Sequence, residues 1–322
     1  MPNVSRPLSM LRRCLQVQAE TTPGTAMTVN TSWGTLVYDL VMKPIVEMED
    51  VEKPGADQYM ASALGAYLGE ATFKLRPTAV LAQPDWANLL VGCGLGWNGS
   101  SAYALDQTFP ETSGSTVKTL TLFSYEDGLL KCIYGAAGNL VMSGKAGKTA
   151  IMEFTFRGKW APPVQIAKPT IAYPSNSPLR FVDAGMTLAF SDEDQFMPKV
   201  SNFRLEMGNE LYPEEDGSSG DQTGINYVLI PKRRVKLTVD PLTTLISGGT
   251  NAFDLYQHWL EQEQCSVTFS LNDAAGDSMV VGMSGCQFDL PAPGDRNRLM
   301  KEDVTLLNQN NDLNLVFTPA TA

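Results

Sequence analysis

The chain has 322 residues, 43% of them hydrophobic and only 18% charged, with 27 glycines and 20 prolines. That composition is too apolar for a disordered chain and has the turn residues an all-β protein needs. With 24 basic against 35 acidic residues the net charge is −11, which excludes a general DNA-binding surface, since such a surface must neutralise phosphate.

Residues 1–35 are mixed and turn-rich. Residues 11–19 suit a first strand or a short helix, and Glu20-Thr21-Thr22-Pro23-Gly24-Thr25 a turn or extended arm. A strand is predicted at 37–45. The stretch 47–57, with Glu47, Glu49, Asp50, Glu52 and Asp57 broken by Pro54-Gly55, reads as a solvated loop. Next come a strand ending Phe73-Lys74-Leu75-Arg76-Pro77 and a short helix opening at Pro84-Asp85-Trp86, whose Trp86, Leu89 and Leu90 share one face. Residues 98–116 read as a long Ser/Gly/Thr-rich surface loop. Strands are predicted at 117–125, 129–133 and 149–156. Residues 161–178 hold Pro162, Pro163, Pro169, Pro174 and Pro178, a semi-rigid linker by composition.

The order then repeats. A strand at 203–211 leads into an acidic Gly/Ser loop at 213–226 with Glu214, Glu215 and Asp216. Lys232, Arg233 and Arg234 form a small basic patch, read as partner-facing. A strand ending Lys236-Leu237-Thr238-Val239-Asp240-Pro241 precedes a helix at 253–263, whose Phe253, Leu255, Tyr256, Trp259 and Leu260 have helical spacing and should pack on a sheet. Strands at 266–271, 278–289 and 304–316 complete the pass. The offset is about 160 residues, near the size of one small domain. The fold expected is mainly β: two tandem β-sandwich domains, each with a flanking short α-helix, at 1–160 (with the N-terminal arm) and 183–322, joined by a Pro-rich linker at 161–182.

No catalytic constellation emerges, so no enzyme, cofactor or metal is expected. Gly94-Leu95-Gly96-Trp97-Asn98-Gly99 fits GxGxxG in letters, but it follows a helix rather than opening one, so it reads as helix termination. His258 is the only histidine and reads as a packed or surface helix residue. The clusters Glu47 to Glu52, Asp192-Glu193-Asp194 and Glu214-Glu215-Asp216 miss the EF-hand calcium-loop pattern. The five cysteines (Cys14, Cys93, Cys132, Cys265, Cys286) form no CxxC pair and read as buried free thiols in a reducing compartment. No apolar run approaches the ~18 residues of a membrane span, and no signal-peptide core follows Arg6, Arg12 and Arg13, so a chain made in a cytoplasm and free of membrane is expected.

Four stretches carry a likeness: Glu20-Thr21-Thr22-Pro23-Gly24-Thr25; the run from Tyr134 to Gly147 leading into Ala150 to Gly158; Arg233-Arg234-Val235-Lys236-Leu237-Thr238-Val239-Asp240-Pro241; and residues 304–317. Together they resemble the tail tube (major tail) proteins of long-tailed bacteriophages. The resemblance implies a tail-tube-like β-sandwich with a flanking helix, whose sheets join across subunits into a virion tube through which the DNA genome passes without specific binding. The implied partners are the chain itself and other tail proteins such as tape measure and tail terminator. Rings of this family commonly hold six domains, so a two-domain chain would form a trimeric, pseudo-hexameric ring. The two acidic loops are then inter-ring candidates. Glu70, Glu153 and Glu206, in or beside predicted strands, are candidates for an electronegative lumen. Two alternatives stand beside this reading: another ring component of a phage tail or baseplate, and a tandem β-sandwich module binding glycans. The latter would cluster its tryptophans, whereas Trp33, Trp86, Trp97, Trp160 and Trp259 are scattered.

Overall fold

The computed structural model describes residues 13–29, 34–46, 49–51, 60–62, 67–78, 86–97, 102–105, 118–166, 177–190, 195–218, 224–246, 253–310 and 312–318. The first half contains β1 (Arg13–Ala19), β2 (Tyr38–Val46), β3 (Glu49–Val51), β4 (Met60–Ser62), β5 (Tyr67–Leu75), α1 (Ala87–Gly92), β6 (Leu95–Trp97), β7 (Ala102–Leu105), β8 (Leu120–Glu126), β9 (Leu129–Lys145) and β10 (Ile151–Gln165). The second half contains β11 (Thr187–Phe190), β12 (Gln195–Phe196), β13 (Asn202–Glu206), β14 (Glu210–Glu215), β15 (Ile225–Lys232), β16 (Lys236–Val239), α2 (Leu255–Leu260), β17 (Gln264–Asn272), β18 (Ser278–Phe288), β19 (Ala292–Arg296), β20 (Leu299–Asn308) and β21 (Asn314–Thr318). The fold is mainly β, with large antiparallel sheets and, among the described residues, two short helices.

The pairing order recurs. In the first half the neighbours run β2, β5, β10, β9, β8, β1. In the second they run β13, β16, β20, β18, β17, β11. Every one of these contacts is antiparallel. In each half a two-stranded arm, β3–β4 or β14–β15, interrupts the first hairpin, and a helix follows the second strand. The halves meet along β7 and β21 and through β9. Its residues 129–136 pair with β8, whereas Val141 to Lys145 pair with β13.

Alternation explains which side is buried. Along β5, Ala71, Phe73 and Leu75 point inward, and along β13, Phe203 and Leu205 do. Phe73, Phe154 and Phe156 stack at centroid distances of 5.5–6.0 Å. One buried apolar cluster runs from Leu15 to Phe317 through both halves rather than two separate ones. Leu89 and Leu90 of α1 lie in it, with Trp86 at the helix start. In α2 only Leu255 is buried; Trp259 is half-buried and Leu260 is 70% exposed, so that helix packs with a narrower face than its spacing suggests.

Several expectations need correction. The strand read at 129–133 continues to Lys145. Gly135, at φ +58°, makes a bulge that bends the strand. Gly138 lies under the Phe156 ring, where a Cβ would stand 2.4 Å from Cε1. The strand read at 203–211 is two strands. Gly208 turns the chain at φ +62°, with Arg234 O 2.5 Å from where a Cβ would be. The strand read at 304–316 breaks between β20 and β21, where Asp312 accepts from Ser284 N and Asn308 Nδ2. The loop read at 98–116 contains β7, which pairs with β6 and with β21. The linker read at 161–182 begins inside β10: a register shift between Ala161 and Val164 accommodates Pro162 and Pro163. It ends packed, with Leu179 and Phe181 buried and Arg180 bridging Thr149 and Asn272.

Candidate functional site

Registers place one solvent face across both halves. Lys43, Glu70 and Arg157 are directly opposed across β2, β5 and β10. A second row runs from Tyr38 through Lys74, Glu153, Val141 and Glu206 to Lys236. A third runs from Ile151 through Ser143, Arg204 and Thr238 to Thr305. Opposed residues share a face, so the three acids Glu70, Glu153 and Glu206 stand on the same side of one continuous sheet.

Each of them is ion-paired there. Glu70 meets Lys43 Nζ at 3.1 Å and Arg157 Nε at 3.4 Å. Glu153 meets Lys74 Nζ at 3.2 Å. Glu206 meets Arg204 Nε at 2.6 Å and Lys236 Nζ at 2.8 Å. Burial pushes the Glu206 carboxyl up, but hydrogen bonds from Lys236 and Arg204 outweigh it and hold the group below its usual range. Lys301 and Asp303 continue the pattern on β20, at 2.6 Å. Exposed pairs of this kind contribute about 0–1 kcal/mol each. Their weight is in the surface potential rather than in stability. With Lys145 on the same face, bases outnumber acids, so the acidic excess of the chain lies elsewhere.

The two acidic segments are arms rather than plain loops. Glu49 and Asp50 stand on β3, opposed to Ser62 and Ala61 of β4; Glu47, Glu52 and Asp57 lie outside the described residues. Residues 213–226, read as a loop, are largely the β14–β15 hairpin, so Glu214 and Glu215 are strand residues. Asp216 ties the hairpin end: its N–H donates to Gly224 O, and its carboxylate accepts from Ser218 N and Asn226 Nδ2. The root of this arm folds back on the first half, where Val228 and Ile230 bury Ala137 of β9.

The basic residues are not one patch. Lys232 is exposed and pairs with Glu210 at 3.2 Å. Arg233 turns inward, its Nη1 donating to Gly94 O at 3.3 Å. Arg234 is exposed, its N–H donating back to the β13–β14 turn. Gly94, at φ +83°, ends the α1 turn, which is the role the glycine motif has here.

Two anchors were not singled out in the sequence. Glu20 clamps the N-terminal turn: Oε1 accepts from Thr121 Oγ1 and Gly135 N, and Oε2 from Thr119 Oγ1 and Gly24 N, all within 2.6–2.8 Å. Gly24 then lies against Asn226 of the second arm, leaving 2.4 Å between a would-be Cβ and Asn226 O. Asp240 ties the end of β16 to the start of β13 through Ser201 and Asn202. The signal for Glu20 was its place in the ETTPGT run; for Asp240 it was the proline after it.

His258 is packed between Phe190 and Phe253, at 4.2 and 4.6 Å, and bonds Glu263. Among the described residues no group of three or more His, Cys, Asp or Glu is placed to hold a metal ion. All five cysteines are buried and none is in a disulfide, and burial pushes the Cys132 and Cys265 thiols up to about 12. A family model described as phage tail tube protein matches residues 11–313. No curated protein matches the sequence.

Proposed function

Because the chain belongs to the phage tail tube protein family, a structural component of the virion tail, we propose that it stacks as rings into the tube that conducts the genome. In this reading each half is one tube-forming unit, residues 1–160 and 183–322, and three chains make a ring of pseudo-six-fold symmetry. The carrying observation is the recurrence of one pairing order, with arm and helix, in both halves. Two equivalent units already joined edge to edge through β9 and β13 are one third of such a ring.

The ion-paired face carrying Glu70, Glu153 and Glu206 would then line the bore. In such a bore the bases are mostly tied to carboxylates, so few free cations are offered to phosphate, in place of the electronegative lumen that the net charge suggested. The β3–β4 and β14–β15 arms would reach the next ring. The chain's partners would be its own copies, with tape measure inside and terminator at the end of the stack. Native mass measurement of isolated rings tests the stoichiometry: three chains are expected. Six chains would mean that only one half builds the wall, and a protein that forms neither rings nor tubes in electron micrographs would refute the reading.

A further inference from the structure

We propose that Cys265 and Cys286 form a latent cross-strand disulfide site, which closes when the protein meets a small two-electron thiol oxidant and reopens under reduction. The chemistry belongs to the single subunit; only its use, after release from a reducing cytoplasm, rests on the virion reading above.

Register brings the two residues together. Cys265 of β17 stands directly opposite Cys286 of β18, at the open end of that hairpin. Opposed residues share a face, and both side chains are buried. Burial pushes the Cys286 thiol up, and the neighbouring Cys265 adds to the push. No other two of the five cysteines are opposed in this way. Cys14 stands opposite Tyr125, Cys132 opposite Phe123, and Cys93 is the C-cap of α1.

Backbone direction sets the spacing. Gly285 O accepts from Gln309 N, and Asn308 N–H donates to Val235 O, away from the opposed Cys286. Backbone groups alternate along a strand, so Cys286 turns its own toward β17. Cys265 and Cys286 are therefore a hydrogen-bonded pair, with Cα atoms about 5.5 Å apart. That lies inside the roughly 4.4–6.8 Å that disulfides span. The two Cβ atoms must still draw together. The ladder already shifts register beside the pair, between Cys265 and Val267, where Gly285 has φ +58°.

The cover over the site is light. Phe190 stands opposite Cys265, and Phe288 follows Cys286 by two residues on the same face; their rings stack at 5.9 Å. Phe190 also stacks on His258 of α2 at 4.2 Å, so α2 roofs this end of the sheet. That helix has six residues and buries only Leu255. A segment held by so few buried contacts opens at low cost, which admits a small oxidant. On reaction both thiols lose their hydrogens, as two protons and two electrons in total, and one S–S bond forms. Dissolved oxygen takes them up to become hydrogen peroxide, and diamide takes them up to become its hydrazine. The bond ties the open end of the hairpin and so restrains unfolding from there.

The test is thiol counting on the full-length folded subunit. The chain is treated with diamide, quenched, denatured and alkylated, and its mass and peptides are read with and without dithiothreitol. Two fewer thiols should be alkylated after oxidation, the peptides carrying Cys265 and Cys286 should be joined, and dithiothreitol should restore all five. The oxidised subunit should also melt a few degrees above the reduced one, and equal melting temperatures would overturn the tie. A chain that stays folded and keeps all five thiols through prolonged treatment overturns the inference, as does a bond that joins Cys14, Cys93 or Cys132 instead. Neither result bears on ring formation, which the mass measurement of rings tests separately.

Discussion

Removing the Asp240 carboxylate should unpin the strand that joins the halves. Asp240 is buried, its side chain 7% exposed. Oδ1 accepts from Ser201 N at 2.8 Å and Asn202 N at 2.7 Å; Oδ2 accepts from Ser201 Oγ at 2.7 Å and Asn202 Nδ2 at 2.8 Å. Asp240→Ala leaves two backbone N–H groups at the start of β13 without their acceptor, and each orphaned donor costs about 1–3 kcal/mol. Because Asn202 is exposed and water can reach part of the gap, we expect a loss of about 3 kcal/mol by the same reckoning. Asp240→Asn keeps one acceptor oxygen but turns an NH2 toward the Asn202 amide donor, for about 2 kcal/mol. Urea unfolding below the assembly concentration reads both. The pH dependence supplies a second check. Burial pushes the Asp240 carboxyl up, but the hydrogen bonds from Ser201 and Asn202 outweigh it and hold the group below its usual value. A depressed acid stabilises fully above its unfolded pKa, about 3.9, and loses that contribution as pH falls through the folded value. The gap between wild type and Asp240→Asn should therefore close below about pH 4. A loss under about 1 kcal/mol for Asp240→Ala, or a gap that does not change with acid, would refute this account.

Gly24→Ala combines a left-handed backbone with a clash at Asn226 O, and thermal melting should show a loss of about 1–3 kcal/mol. Glu206→Gln leaves Arg204 and Lys236 without their carboxylate; melting should shift little, but assembled particles should retain more duplex DNA at low salt, with the excess gone once salt screens it. Deleting residues 217–224 spares the β14–β15 root on Ala137, so the subunit should stay folded and form rings that fail to stack; full-length tubes in micrographs would place stacking elsewhere.

Much of this architecture was legible because period-2 burial and turn residues declare strands locally. β2, β5, β17, β18 and both helices lie close to where pattern put them, and the recurrence of elements was visible before any pairing was known. The misreadings have a common physical cause. Gly135, Gly138 and Gly208 have the same letter, yet the first makes a bulge, the second makes room for Phe156 and only the third turns the chain. Which role a glycine has depends on a neighbour distant in sequence. Acidic stretches likewise looked like loops because charge marks exposure, and β14, which carries Glu214 and Glu215, buries no residue along its length. The pairing of Glu70, Glu153 and Glu206 required register, which no single strand contains.

One feature bears on the order in which the subunit comes into being. β21 is the final described strand, and it lies between β18 and β7, with Leu315 opposed to Tyr103 and to Val281. Phe317 meets Trp86 and Tyr103 at 5.5 and 5.9 Å. An early part of the polypeptide therefore waits for a late one, more than 200 residues on by the numbering of those partners. Such long-range closure slows folding. It also means that a nascent chain leaving the ribosome still has an unfinished wall at β7. The first half cannot complete itself ahead of the second, so a chain truncated before residue 314 should be a poor competitor for places in a growing ring.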